Sequence, residues 1–259
     1  MKPLRPGFIG IISDDAKHDF WSAMKRAADM GYRGVESLGA ALTGDVQANA
    51  RRLRELGLEP LTIGTLREGL REETDTLLRQ AEAAGVRRVS CWWAPAESRE
   101  QLLADAELYN SVGRRFAEAG IRLAYHHHDH ELLECFDGVR ALDLLAANTD
   151  PAHVGFVVDI AWAVVGREDP AALVRRLGRR VTSLHVKDVA LADRGPDGNV
   201  AFTAVGTGVV PLAGAMAAAA EVGVEWAVVE QDKLRNLTAW DTLQVSLLNL
   251  VEMGLVEAN

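Results

Sequence analysis

Cysteine is nearly absent: Cys91 and Cys135 are the only two among 259 residues. Two widely spaced thiols supply neither a disulfide framework nor a Cys-x-x-Cys metal motif, so reduced thiols in a cytoplasmic protein are expected. Aromatics make up only 6%, and no apolar run reaches the roughly 18 residues that span a bilayer. "PLAGAMAAAAEVGV" at 211–224 is Ala-rich and too short. The start, "MKPLRPGFIGIISDD", lacks the long apolar stretch and cleavage site of a signal peptide. Positive charge is scarce as well, with 28 Lys and Arg against 37 Asp and Glu, a net charge of −9. Phosphate binding needs clustered basic groups, whereas Arg51-Arg52, Arg87-Arg88 and Arg179-Arg180 are scattered and read as solvated helix or strand edges. Neither a membrane nor a nucleic acid is an expected partner.

What is present is a unit that recurs eight times: a helical segment, often a Gly, then a short apolar run closing on a polar or aromatic residue. The runs are "GFIGII" (7–12), "YRGVE" (32–36), "GLEPLTI" (57–63), "VRRVSCWW" (86–93), "IRLAYHHH" (121–128), "HVGFVVD" (153–159), "RVTSLHVKD" (180–188) and "VEWAVVE" (224–230). Short runs rich in Val, Ile and Leu suit strands buried on both faces. Between them, "FWSAMKRAADMG" (20–31), "ANARRLRELG" (48–57), "TDTLLRQAEAAG" (74–85) and "LYNSVGRRFAEAG" (108–120) read as helices that stop at a Gly. "DPAALVRRLG" (169–178) opens on Asp as N-cap with Pro at the first helical position, and "WDTLQVSLLNLVEMG" (240–254) is the eighth helix. Alternating strands and helices imply a parallel sheet. The first strand is followed by "GIISDDAKHD" rather than a Gly-rich phosphate loop. Eight units in this length predict an α/β fold, a closed (β/α)₈ barrel in one domain over 1–259. The longest irregular stretch, 189–210, reads as a loop over the barrel mouth.

Barrel enzymes place their chemistry at the C-terminal strand ends. There Glu36 ends the second strand, His126 lies near the end of the fifth, Asp159 ends the sixth, His185 lies near the end of the seventh and Glu230 ends the eighth. An acid or imidazole at four consecutive ends is hard to reach by accident. If the barrel closes, these side chains converge, and two imidazoles with two carboxylates suit one divalent cation, with Mn²⁺, Co²⁺ or Zn²⁺ favoured over Mg²⁺.

The segments "AADMGYRGVE", "YHHHDHEL", "VGFVVDIAWAVVGREDPAALVRRLGRRVTSLHVKD", "VGTGVV" and "WAVVEQD" resemble, in order and nearly end to end, the sugar phosphate isomerase/epimerase group of xylose-isomerase-like TIM barrels. The resemblance implies a single divalent metal held at the ends of strands five to eight, here by His126, Asp159, His185 and Glu230. It also implies a small carbohydrate substrate, with homo-oligomerisation left open. Two positions depart from the epimerases. They carry Glu where this chain has His126, with Glu131 as the alternative carboxylate, and His where this chain has Trp162. AP endonucleases share the superfamily, but the net charge of −9 argues against a DNA groove.

Around these positions, His128, Lys187, Glu131 and Glu230 are candidates for acid/base work or charge stabilisation. Glu36, Trp162 and Trp93 are candidates for sugar contacts. His127 alternates away from the mouth, while Asp129 and His130 read as loop surface or as partners that fix an imidazole tautomer. Asp188 is placed to pair with Lys187, and "VGTGVV" (205–210) reads as the turn into the seventh helix. The expected chemistry is removal of a proton next to a carbonyl, giving an isomerase or epimerase, with a lyase or dehydratase on an inosose or keto-glycoside as the alternative. A barrel that only binds carbohydrate is a further possibility of a different class.

Overall fold

The computed structural model describes residues 2–195 and 198–258; Pro196 and Asp197, inside the expected mouth loop, lie outside the described residues. Eight parallel strands close into a barrel: β1 (Arg5–Phe8), β2 (Gly34–Glu36), β3 (Glu59–Thr65), β4 (Arg88–Cys91), β5 (Arg122–His126), β6 (Val154–Asp159), β7 (Val181–Val186) and β8 (Trp226–Val229). Each strand pairs with its sequence neighbours, and β1 closes the ring on β8 with Phe8 opposite Val229. The (β/α)₈ expectation is met. The first strand differs from 7–12, because Gly10 adopts a left-handed φ of 74° that breaks extension, and the ladder ends at Phe8.

The helices follow from caps and faces. Asp19 caps Phe20–Met30 by accepting the Ser22 N–H, and the helix buries Phe20, Ala23, Met24, Ala27 and Ala28. Asp169 caps Pro170–Leu177 through the Ala172 N–H, with Pro at the first position as expected. Thr74–Ala84 stops at Gly85, whose φ of 67° provides the left-handed exit. The fourth major helix begins earlier than "LYNSVG" suggests, at Arg99, because Ser98 accepts the Gln101 N–H. The mouth loop also holds more order than expected: Asp188–Val189 pairs antiparallel with Phe202–Thr203, and Arg194 makes two hydrogen bonds to Asp129 Oδ2, at 2.6 and 3.0 Å.

Inside the barrel the filling changes from floor to mouth. Near the N-terminal rim Leu61, Trp226 and Val228 form an apolar plug. Gly34 is required there, since an added Cβ would stand 2.5 Å from the Trp226 ring and 2.7 Å from Leu61. Above the plug the lining turns polar, with Thr62 and Ser90 hydroxyls 3.1 Å apart and Ser183 fully buried. The sequence register slips between Val35 and Glu36 in the β2–β3 ladder, the kind of irregularity that re-aims a side chain. Glu36 is only 1% exposed. Among the described residues no helix is long and apolar enough to cross a membrane.

Candidate metal centre

The ladder between β6 and β7 sets Asp159 directly opposite His185, and His185 in turn faces Val228 of β8, one residue short of the strand end that precedes Glu230. His126 enters from β5, with its ring centroid 4.3 Å from that of His185. Ligand atoms of His126, Asp159, His185 and Glu230 all lie within 4.8 Å of one another. Each of the four carries one buried atom without a hydrogen-bond partner: His126 Nε2, Asp159 Oδ2, His185 Nδ1 and Glu230 Oε2. Leaving one buried polar atom unpaired costs about 1–3 kcal/mol. Four together in one space, two imidazole nitrogens and two carboxylate oxygens, form a donor set that a divalent cation would satisfy.

The opposite edge of each side chain is held firmly. Asp159 Oδ1 accepts the N–H groups of Ala161 and Trp162 at 3.0 and 2.9 Å, which starts the helix Ile160–Val165 and leaves Oδ2 free. His185 Nε2 lies 2.9 Å from Glu36 Oε2. Donation from Nε2 to that carboxylate fixes the ring and turns Nδ1 inward toward Glu230, the carboxylate–imidazole pattern that orients metal ligands. Glu36 is itself anchored by Arg88 at 2.5 Å, and Arg88 reaches across to the Thr182 carbonyl at 2.9 Å. Glu230 Oε2 comes within 2.7 Å of His185 Nδ1 without hydrogen-bond geometry.

Lys187 is the fixed charge of the site. Its side chain is fully buried, with Nζ 3.1 Å from Asp159 Oδ2, 3.1 Å from Glu230 Oε2 and a hydrogen bond of 2.7 Å to Asp232 Oδ2. Burial disfavours the ammonium, but these three carboxylates outweigh it and hold the lysine protonated. Burial likewise pushes Asp159 and Glu230 up, yet Lys187 and the facing imidazoles bring both well below the usual carboxylate range. Asp232 goes the other way: burial, reinforced by Glu230 and Asp159, raises its pKa despite Lys187. His126 falls to about 4 and His128 to about 2, both chiefly through burial. His185 rises to about 10, because the charges of Glu230 and Glu36 overcome its burial. Once His185 gives up its extra proton, as an imidazole ligand must, Arg88 offsets Glu36, and Lys187 offsets one of Asp159, Glu230 and Asp232. Two negative charges remain, the number a divalent cation neutralises.

A cavity of about 230 Å³ opens onto this cluster, lined by Ile9, Gly10, Glu36, Ser37, Thr62, Gly64, Ser90, Trp92, His126, His128, His185, Glu230 and Asp232. Several expectations change here. Glu131 stands apart from the four donors: it is fully buried and accepts from the Tyr125 hydroxyl at 2.5 Å and the His128 N–H at 2.7 Å. A second group of His128, His130 and Glu131 is therefore already satisfied at its carboxylate, and His130 Nε2 lies 3.0 Å from the Ala94 carbonyl. Glu36 is occupied by His185 and Arg88, so its expected role on a sugar hydroxyl gives way to holding the imidazole. Lys187 does not line the cavity and pairs with Asp232 rather than Asp188. Asp188 instead accepts the N–H groups of Gly206, Gly208 and Val210, which folds "VGTGVV" around a carboxylate of the chain itself. His128, whose pKa burial lowers to about 2, lines the cavity, and its Nδ1 has no hydrogen-bond partner among the described residues. The indole on the cavity wall is Trp92; Trp93 packs near His130 and Trp162 is buried between His128 and Phe202. Arg88, read as a solvated edge, is a buried partner of Glu36. His127 turns from the mouth as expected: its Nε2 accepts the Asp159 N–H at 3.2 Å.

Sequence reasoning missed Asp232 and Arg88. Asp232 sits in the quoted "VVEQD" two residues beyond Glu230, the same strand-end spacing that singled out Lys187 after His185. Nothing local marks Arg88, because its partner is 52 residues away.

Comparison with known proteins agrees with this architecture. A solved sugar phosphate isomerase/epimerase from Parabacteroides distasonis superposes with a TM-score of 0.80 at 20% identity, covering 99% of this chain and 96% of that one. The IOLI protein with a binding zinc atom gives a TM-score of 0.73 at 15% identity, over 96% and 97% of the two chains. Both likenesses are of fold. Inosose dehydratase from Geobacillus kaustophilus is 30% identical over 191 residues, which span 64% of this chain and 61% of that relative. The family model described as xylose isomerase-like TIM barrel matches residues 24–244, and the chain belongs to that family.

Proposed function

We propose that this chain is a divalent-metal-dependent enzyme that removes the proton next to a carbonyl of an inosose or keto-glycoside and expels the oxygen substituent beta to it. The observation that carries this reading is the convergence of buried donor atoms of His126, Asp159, His185 and Glu230 within 4.8 Å of one another. Mixed imidazole and carboxylate donors suit Mn²⁺, Co²⁺ or Zn²⁺ better than Mg²⁺, and the zinc atom of the IOLI neighbour supports a metal in this fold. When bound there, the cation supplies Lewis acidity that acidifies the carbon beside a carbonyl.

The chain's own residues perform the proton work. Asp232 lines the cavity, is fixed by Lys187, and holds its proton more tightly than an ordinary aspartate. It accepts the alpha proton and returns it to the departing oxygen, so that the C–H electron pair becomes the new C=C as the C–O bond breaks. His128 Nδ1 accepts a hydrogen bond from a sugar hydroxyl. The permanently charged Lys187 keeps Asp159 and Glu230 ionised and oriented.

Elimination is favoured over epimerisation by the fifth strand. Epimerisation needs acid/base groups on both faces of one carbon; where the epimerases place a second carboxylate this chain has His126, and Glu131 is turned into the wall against Tyr125. The dehydratase name of the curated relative supports the same choice and the inosose class. Isomerisation and epimerisation share the opening proton transfer and are told apart by product. The test is incubation with a panel of inososes, keto-sugars and keto-glycosides in D₂O, with Mn²⁺, Co²⁺ or Zn²⁺ added in turn. Metal-dependent deuterium uptake followed by an enone absorbance is expected. Metal-free protein that exchanges no substrate proton with any added cation would leave only the carbohydrate-binding barrel.

A further inference from the structure

Beside the metal centre lies a second, larger chamber of about 540 Å³, between the ends of β1 and β2 and the helices Ser13–His18 and Phe20–Met30. It shares Gly10, Glu36, Ser37, Gly64 and Trp92 with the 230 Å³ cavity, so the two adjoin along these residues. Their chemistry differs sharply. The larger compartment has an apolar floor of Phe8, Ile12, Phe20, Met24, Val35 and Leu38. Polar side chains are few on its wall: Ser13 Oγ donates to the Gly10 carbonyl at 2.5 Å, Lys17 pairs with Asp14 at 2.8 Å, Glu36 is held by His185 and Arg88, and the Ser37 hydroxyl and Trp92 indole stand at the edge shared with the smaller cavity. The divide between compartments is built with strain, since Ser37 holds a left-handed φ of 57° that only Gly adopts freely. Gly64 keeps the divide thin: a Cβ there would meet Trp92 at 3.4 Å and Ser37 Oγ at 3.6 Å.

We infer that the substrate carries an apolar, flat group joined to its sugar ring through oxygen, an aryl aglycone, which occupies this chamber while the keto-sugar ring sits on the metal centre. This rests on the elimination reading above and specifies its leaving group. A second sugar ring would lose its water without finding partners for its hydroxyls, a penalty an aromatic ring does not meet. The step balances without oxidant or reductant. The alpha C–H bond and the bond from ring carbon to glycosidic oxygen break, a C=C forms in the sugar, and the proton ends on the phenol oxygen.

The test compares para-nitrophenyl keto-glucoside, methyl keto-glucoside and the free keto-glucose, each with Mn²⁺, in wild type, Ala40→Trp and Ala16→Phe. Both variants change side chains on the chamber wall, outside the metal centre. Wild type is expected to favour the aryl over the methyl substrate roughly tenfold to a hundredfold in kcat/KM. Either substitution should collapse that ratio while leaving deuterium exchange on the free keto-glucose unchanged. Binding of the unoxidised para-nitrophenyl glucoside, read by calorimetry, should weaken in parallel. Equal use of aryl and methyl substrates, or a ratio untouched in both variants, overturns the aglycone chamber and leaves the elimination chemistry standing. Absence of exchange on all three compounds overturns both.

Discussion

The two halves of the barrel mouth are built from different materials. Strands β1 to β4 end in Phe8, Glu36, Thr65 and Cys91, whereas β5 to β8 end in or next to His126, Asp159, His185 with Lys187, and Glu230 with Asp232. The first half presents an apolar chamber and a thiol that burial pushes up to about 12, too inert for chemistry. The second concentrates the buried charge around the cluster. Glu36, with its partner Arg88 of β4, teaches most: it belongs to the quiet half by sequence and to the charged half by geometry, because its carboxylate crosses the barrel to His185. A strand end sets where a side chain starts, and the closed ring decides what it meets.

That division can be broken most severely at His185. His185→Ala removes a donor and also strands the Glu36 carboxylate, so metal bound after reconstitution should drop from one equivalent to none by elemental analysis. Full occupancy would mean the cation sits elsewhere. Asp232→Asn should keep the metal and lose turnover, by 10²–10⁴-fold if it is the group that moves the proton; wild-type kcat would return that role to Glu230. Lys187→Met leaves three carboxylates in a buried cluster without their ammonium and should cost about 3–5 kcal/mol in urea unfolding. An unchanged midpoint would show that solvent already screens the lysine.

Glu36→Gln sharpens the boundary between the halves more gently. The amide can still face His185 but no longer fixes the Nε2–H tautomer by charge, and metal affinity should fall 10- to 100-fold. Rescue by Glu36→Asp would point to charge; equal loss in both variants would point to shape.

The strand ends could be read because each is a local event: an apolar run that stops on an acid or imidazole, repeated with a helix between. That was sufficient for the barrel and for gathering His126, Asp159, His185 and Glu230. What could not be read depends on contacts between distant segments. Glu36 meets His185 across 149 positions and Arg88 across 52, and nothing near "RVSC" distinguishes Arg88 from the solvated Arg87 beside it. Adjacency in sequence suggests Asp188 as the partner of Lys187, yet neighbours on a strand point apart, and the backbone N–H groups of the "VGTGVV" turn claim Asp188 instead.

The smallest effect is expected at Glu131, a fully buried carboxylate shortly after His126 that takes no part in the cluster. Its two oxygens accept from Tyr125 and from the His128 backbone. In Glu131→Gln one of those acceptors becomes an NH₂ facing a donor, and the unfolding free energy should drop by about 1–3 kcal/mol. Metal affinity, measured by competition with a chromogenic chelator, should stay within about twofold of wild type, since ligands and their orienting partners are untouched. A tenfold loss of affinity with an unchanged midpoint would reverse the assignment, making Glu131 the fourth ligand and His126 a bystander. The same titration on His126→Ala then supplies the mirror image: the two substitutions cannot both leave the metal in place if β5 contributes a ligand at all.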